Sequence, residues 1–324
     1  MIFIIDNLSN NNEKTRSIFK LLSEGPHEVE YFDPKEVDIY QLAAKLTSKD
    51  LVVLQPKPND LEVEFINILL KLHLLIGFKL YPSAKHIALY DSKVLQALVS
   101  THLSIKMPNT QVRGLYNYDV PKKEHYPVIF KVSGGAGSKG VRLVRNRFQL
   151  MLLISKLRYF GSLDILKFFK RVLSNNLIYR YNWMRSRSFY LIQDYLDKNL
   201  HDLRITVIGD TIIGFERFTK TGDWRASGSG IIKKLSVVNS KNSKEILDLV
   251  LPVAKNLPGG PLVFDLMLNH KNRYEILEIS CDFDHGAVEK YGTLMSSGSN
   301  QDKIDIPQLI ANEINNYYER SLNE

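Results

Sequence analysis

The chain contains one cysteine, Cys281, so a disulfide framework and a thiolate zinc cage, each needing at least two sulfurs, are excluded. That scarcity fits a reducing compartment, and a cytoplasmic protein is expected. Glycine and proline number only 18 and 12 of 324 residues, too few for a fibrous or disordered chain. Long hydrophobic runs are missing as well. The most apolar stretch, 65–78, is interrupted by Asn67, Lys71 and His73 and is shorter than the ~20 residues of a membrane span. It reads as a core-facing helix, and no membrane span is expected. The opening Met1-Ile2-Phe3-Ile4-Ile5-Asp6 lacks the basic leader and long apolar core of a signal peptide and reads as a buried strand. The eight histidines include no i, i+4 pair, which argues against a zinc hydrolase. There is no Gly-x-Ser-x-Gly elbow, and no base stands beside Cys281, which reads as an ordinary small residue.

What is present is an average globular composition, 44% hydrophobic and 24% charged, at a length of roughly two domains. The net charge of +8 is regional: residues 131–190 hold 13 Lys and Arg against one acid, Asp164. Such a segment invites a polyanion, either nucleic acid or the phosphates of a nucleotide. No nucleic-acid recognition motif accompanies it. The interleaved Tyr159, Phe160, Phe168, Phe169, Tyr179, Tyr181 and Trp183 read as core rather than as stacking platforms, so nucleic acid is not the favoured partner.

Residues 1–88 alternate apolar runs at 2–6, 28–33 and 51–54 with amphipathic stretches at 12–24, 38–47 and 60–75, which predicts a parallel sheet covered by helices. No Gly-x-Gly-x-x-Gly follows the first strand, so a dinucleotide fold is unsupported. Next come a helix at 91–102, a turn at Pro108, and strands at 127–132 and 140–144 around a glycine cluster, a hairpin pattern. Segment 147–187 reads as helical and basic. Strands at 188–195, 203–208, 211–218, 261–268 and 273–280, with helices at 243–255 and 305–320, predict an antiparallel α+β half.

Four constellations carry chemistry. The hairpin turn Gly134-Gly135-Ala136-Gly137-Ser138-Lys139-Gly140 would let backbone N–H groups approach an anion, with Lys131 on the strand before it. It lacks Walker A spacing and leads into a strand, and the bland reading is a flexible turn. Asp265 and Glu278 each sit in the middle of an apolar strand, where burial is costly unless the carboxylate is paired or metal-bound; two such acids suit Mg²⁺, and the bland reading places them at a solvated sheet edge. The strand end Gln193-Asp194-Tyr195-Leu196 would leave backbone groups for an adenine edge, with Asp202 and Arg204 sharing one face of the next strand; the alternative is a plain polar turn. The loop holding Arg217, Lys220, Trp224, Arg225 and Ser227 to Gly230 would bring guanidinium groups to a carboxylate or phosphoryl group, unless it is only a solvated loop.

Taken in order, these stretches resemble the ATP-grasp carboxylate–amine ligases, nearest to the branch of glutathione synthetase and the glutamate ligase that modifies a ribosomal protein. The resemblance runs from about residue 79 to 280. It rests on Tyr81-Pro82-Ser83, Asp91-Ser92-Lys93, Pro108-Asn109-Thr110, Tyr126 to Lys131, the glycine hairpin, Gln193 to Leu196, Asp202-Leu203-Arg204, Arg217, Asp223 to Gly228, Asp265 and Glu278-Ile279-Ser280. It implies an ATP-grasp fold, mixed α/β and α+β, with an N-terminal parallel α/β domain (1–88), a lid subdomain (89–196) and a C-terminal antiparallel subdomain (197–324). It further implies that Lys93 and Lys131 hold ATP phosphates while Gly134, Gly135, Gly137, Ser138 and Lys139 close over them. Gln193, Asp194, Tyr195 and Leu196 would flank adenine and Asp202 the ribose. Asp265, Glu278 and Ser280 would hold Mg²⁺, and Arg217 and Arg225 would face the acyl phosphate. The implied activity joins a carboxylate to an amine, on small molecules or a peptide end; a nucleotide-binding protein without ligation is the alternative, and a homodimer is left open. Ser280 stands where the family usually has Asn, and a hydroxyl is the poorer metal ligand, which bears on a second Mg²⁺. The succeeding Cys281-Asp282-Phe283-Asp284 replaces the usual turn and offers Asp282 or Asp284 as substitutes.

Overall fold

Ile2–Ile5 (β1) and Leu51–Leu54 (β3) are apolar runs buried along their whole length, the pattern of parallel strands covered on both faces. A computed structural model describes residues 1–6, 13–33, 39–55, 60–90, 92–115, 126–133, 140–160, 173, 188–197, 199–235, 240–295 and 304–323. In it β1 and β3 pair with each other and with β2 (Val29–Phe32) and β4 (Lys79–Tyr81) in the parallel order β2-β1-β3-β4. Helices α1 (Glu13–Ser23), α2 (Ile39–Lys45) and α3 (Asp60–Ile76) alternate with these strands, as the pattern of the first 88 residues predicts. The expectation of a core-facing α3 holds for one side only: Ile66 and Leu69 are buried, whereas Leu74 and Leu75 are 80% and 83% exposed. A single sheet face covers only one side of the helix, and Leu74 and Leu75 stand outside that cover.

Two short helices, α4 (Ala84–Leu89) and α5 (Lys93–Val99), lead into an antiparallel sheet. Its strands are β5 (Thr110–Gly114), β6 (Val128–Val132), β7 (Val141–Val144) and β8 (Phe189–Asp194), in the order β5-β8-β6-β7. The predicted hairpin is present as the β6–β7 pair, with Lys131 opposite Val141. Its connecting residues 134–139, and so Gly134, Gly135, Gly137, Ser138 and Lys139, lie outside the described residues. The basic segment is helical over Arg147–Phe160 (α6), and most of its remainder, 161–187, likewise lies outside them. Tyr159 departs from the expected core placement: it is 76% exposed.

The C-terminal half builds a third sheet from β9 (His201–Ile208), β10 (Thr211–Phe218), β11 (Ile231–Lys234), β12 (Leu262–Leu268) and β13 (Tyr274–Ser280), ordered β11-β10-β9-β12-β13, with β14 (Thr293–Leu294) paired to β10. Side chains alternate across it. Leu203, Ile205 and Val207 of β9, with Phe264 and Leu266 of β12, pack against helix α7 (Ser240–Asn256). On the other face Ile213 and Phe215 share a core with β1, β3 and helix α9 (Ile306–Leu322), which closes the chain. Helix α8 (His285–Tyr291) sits between, its first turn capped by Asp284. The face turned away from α7 is the one that carries the chemistry.

Candidate functional site

A cleft of about 900 Å³ lies where the three sheets meet, within the range that holds small-molecule ligands. One wall is the polar face of β9, β10, β12 and β13, where Asp202, Arg204, Arg217, Asp265, Glu278 and Ser280 all line the cavity. The two-residue period puts them there: Asp202 and Arg204 share a face of β9, and Asp265 and Glu278 are directly paired across β12 and β13. The opposite wall comes from the β5-β8-β6-β7 sheet and the residues just after it, through Ile129, Lys131, Val141 and Gln193 to Leu196. Lys93, at the start of α5, and the 224–230 loop complete it. Thus Lys93, Lys131, Gln193, Asp194, Tyr195, Leu196, Asp202, Arg217, Arg225, Asp265, Glu278 and Ser280 are brought into one cavity.

The buried carboxylates are paired, which removes the sheet-edge reading for Asp265. Arg204 grips Asp265 bidentately, Nε and Nη2 donating at 2.8 and 2.9 Å, and Arg217 Nη2 reaches the same carboxylate at 2.9 Å. Arg217 also forks onto Asp202 at 2.6 and 2.8 Å. Burial alone would raise the Asp265 carboxyl; Arg204 and Arg217 outweigh it and hold the group well below the usual carboxylate range. Lys93 Nζ donates to Glu278 at 2.8 Å. Lys131 Nζ reaches the C=O of Leu277 at 3.4 Å, and burial lowers its ammonium pKa to about 8, with Glu278 and Asp265 opposing the shift and Lys93 adding to it.

Several expectations change in detail. Both oxygens of Asp202, expected beside a ribose, are taken by Arg217. The row of unpaired backbone groups expected at 193–196 is partly spent: Asp194 N–H donates to the C=O of Asn109, and Asn199 Nδ2 donates to the C=O of Leu196. Gln193 is buried and donates through Nε2 to Thr110 Oγ1 at 2.8 Å. The 219–230 loop is more than solvated surface, because Trp224 stands edge-on to Tyr195 with ring centroids 6.2 Å apart and Arg225 forks onto Asp223. Gly228 and Gly230 adopt φ of +84° and +75° with open space where a Cβ would project, so the cleft wall is bare backbone at these two positions.

The hydroxyl of Ser280 donates to Asp282 O and accepts from Asp282 N, and Asp284 Oδ1 caps α8. Among the described residues no three His, Cys, Asp or Glu side chains converge on one point. Asp265 and Glu278 are nevertheless hard oxygen donors facing each other, and the chemistry of that pair fits one Mg²⁺ that takes its remaining ligands from phosphate oxygens. Cys281 is buried and its thiol is pushed above the usual range by burial, as its lack of an activating base predicts. Arg204, which the sequence places on one strand face with Asp202 without giving it a role, is a cleft residue. Lys14 and Gln55 of the N-terminal layer and Tyr90 at the end of α4 also reach the cleft, and they have no local signature.

No family model and no curated protein matches the sequence. Solved structures do. A RimK domain ATP-grasp protein from Sphaerobacter thermophilus is 12% identical, with 97% of this chain and 99% of that one covered at a TM-score of 0.58. A D-alanine–D-alanine ligase from Bacillus anthracis, complexed with ATP, is also 12% identical, covering 99% and 96% at 0.58. The ATP-grasp ligase PsnB, complexed with a minimal precursor, is 14% identical, covering 97% and 98% at 0.56. At such identities the likeness is one of fold, and the fold of this chain is ATP-grasp.

Proposed function

We propose that the chain is an ATP- and Mg²⁺-dependent ligase that joins a carboxylate to an amine through an acyl phosphate. The observation that carries this reading is the single cleft in which Lys93, Lys131, Arg204 and Arg217 stand among the carboxylates Asp202, Asp265 and Glu278. The lysines and arginines suit a polyphosphate, and the paired acids suit the metal ion that accompanies it. The solved structures with this fold include ligases complexed with ATP or with a peptide precursor, which supports nucleotide use and a small-molecule or peptide-end substrate. The reading divides the chain into an N-terminal domain (1–88), a lid (89–196) and a C-terminal subdomain (197–324). It places the protein in the cytoplasm; among the described residues no helix is long and apolar enough to cross a membrane.

In this mechanism Tyr195 and Leu196 flank the adenine, and Asp202 lies on the ribose side. Lys93 and Lys131 neutralise phosphate oxygens. Asp265 and Glu278 would hold Mg²⁺, which supplies Lewis-acid charge neutralisation at the phosphates. A substrate carboxylate oxygen bonds to the γ-phosphorus as the bond to ADP breaks. Arg217 and Arg225 stabilise charge on the transferring group by position rather than by covalent chemistry. The amine then attacks the acyl carbonyl, phosphate leaves and an amide forms. Glycines 134, 135 and 137 with Ser138 and Lys139 would close over the phosphates and keep water from the activated carbonyl.

Thermal unfolding with and without Mg·ATP tests the nucleotide site: a ligand at ~100 times its Kd stabilises a fold by about 2.7 kcal/mol. Wild type is expected to rise in Tm, and Lys131→Met to lose that rise. ADP release that depends on both a carboxylate and an amine is then expected of wild type. A flat Tm at saturating Mg·ATP would sink the reading.

A further inference from the structure

The carboxylate best placed to ligate a metal is fully engaged by protein cations. Asp265 receives two hydrogen bonds from Arg204 and an ion-pair contact from Arg217, so a divalent ion arriving alone would have to displace a guanidinium fork. It would also meet the ammonium of Lys93 on Glu278 and that of Lys131 close by. A metal–triphosphate complex meets neither obstacle. Its net charge is negative, and its oxygens offer a guanidinium the same bidentate geometry that a carboxylate does.

The two arginines are not equivalent. Arg217 is anchored twice, by the fork onto Asp202 and the contact to Asp265, and its side chain is 8% exposed. Arg204 lies on the neighbouring strand with its side chain 23% exposed toward the cleft. Release of Arg204 alone would uncover Asp265 Oδ1, opposite Glu278, while Arg217 still holds Oδ2.

We propose that Arg204 is a positioning residue that reserves Asp265: it occupies the carboxylate in the free protein and gives it up to a metal ion only when nucleotide phosphates offer the guanidinium another partner. The inference rests on the nucleotide reading above. It makes metal binding conditional on nucleotide through a single side chain.

The test is Mn²⁺ binding to the full chain, followed by the electron paramagnetic resonance signal of free Mn²⁺, without and then with a non-hydrolysable ATP analogue. Without nucleotide, Arg204→Gln is expected to bind Mn²⁺ at least about tenfold more tightly than wild type. Arg204→Lys, which keeps the charge but loses the fork, is expected to gain affinity in the same direction, and it carries the test if the Gln variant does not fold. With the analogue present the difference is expected to fall below about threefold. A merely structural role would weaken Mn²⁺ binding on substitution rather than strengthen it. Equal Mn²⁺ affinity of wild type and both variants without nucleotide, with the analogue still bound by all three, would overturn the role of Arg204 and leave the nucleotide site standing. Failure of wild type to bind the analogue would overturn both.

Discussion

Lys131 projects from β6 into the cleft, its Nζ 3.4 Å from the C=O of Leu277. Its ammonium is lowered from 10.5 to about 8 chiefly by burial. Between those values the unfolded chain binds the proton that the folded chain has lost, so wild-type stability rises with pH through this window. Below pH 8 both states are charged, and the folded state bears the full cost of the buried cation, up to about 3 kcal/mol at 1.36 kcal/mol per pH unit. Lys131→Met is therefore expected to be more stable than wild type at pH 7 without ligand, and the advantage is expected to shrink as pH approaches 10. Urea unfolding at pH 7 and pH 10 measures it. A variant less stable at both values would show that Lys131 is held by interactions that outweigh its burial. The trade is one of stability for an unsaturated positive charge, and it supplies the reason a buried lysine is kept beside Lys93.

At the scale of elements, the far wall of the cleft depends on how α8 is set against the C-terminal sheet. Asp284 caps its start, with Oδ1 accepting from Ala287 N at 3.2 Å, and Gly292 closes its end, donating to Val288 O at 2.8 Å. A Cβ at Gly292 would lie 2.3 Å from Val288 O and 2.5 Å from Ile213 Cγ2. Neither backbone nor a buried isoleucine can move aside cheaply in a close-packed interior. Gly292→Ala is expected to cost about 1–3 kcal/mol, read by denaturant unfolding. Gly228→Ala makes the informative contrast: its φ of +84° is strained for alanine, but no heavy atom lies within 4 Å of the added carbon. Its loss is expected to stay near 1 kcal/mol. A larger cost at Gly228 than at Gly292 would contradict crowding as the cause.

Across the whole molecule, the first and last parts of the chain are one packing unit. Ile2, Ile4 and Leu51 of the parallel sheet share a core with Ile213 of β10 and with Ile310 and Ile314 of α9. Tyr318 of α9 ties the ends further, accepting from the N-terminal amine of Met1 at 2.7 Å and donating to Lys49 O at 3.1 Å. The β5-β8-β6-β7 sheet, the proposed lid, has its own core around Phe130, Leu150 and Tyr190. Ile314→Ala is expected to cost about 3 kcal/mol, and hydrogen exchange is expected to speed up together in β1, β3, β10 and α9 while the lid sheet follows a separate opening. Unchanged protection in β1 and β3 would show that the two sheets unfold independently. A lid that opens on its own, against a base that holds the acids and arginines rigid, is the arrangement the proposed closure over phosphates requires.

Long periodic elements were legible because burial leaves its period in the residues. The alternation in the first 88 residues, the β6–β7 hairpin and the strands that carry Asp265 and Glu278 all follow from spacing and apolar runs. The elements β4, β5, β11, α4 and α8 were not: they lack the fully apolar run that marks the equally short β1 and β3, and owe their conformation to neighbours. Asp265 and Glu278 were legible as candidates because a charge in the middle of an apolar strand is costly, whereas Lys93 came only with the family resemblance. What the sequence determined by itself was thus the kinds of element, their order, and the identity of the polar groups placed where burial penalises them. Only the tertiary structure decided which charges neutralise which. Arg204, Arg217, Asp202 and Asp265 are 2 to 63 residues apart along the chain, and their pairing depends on the order β10-β9-β12. Strand order is set by how whole faces pack, and that is a property no local stretch of residues contains.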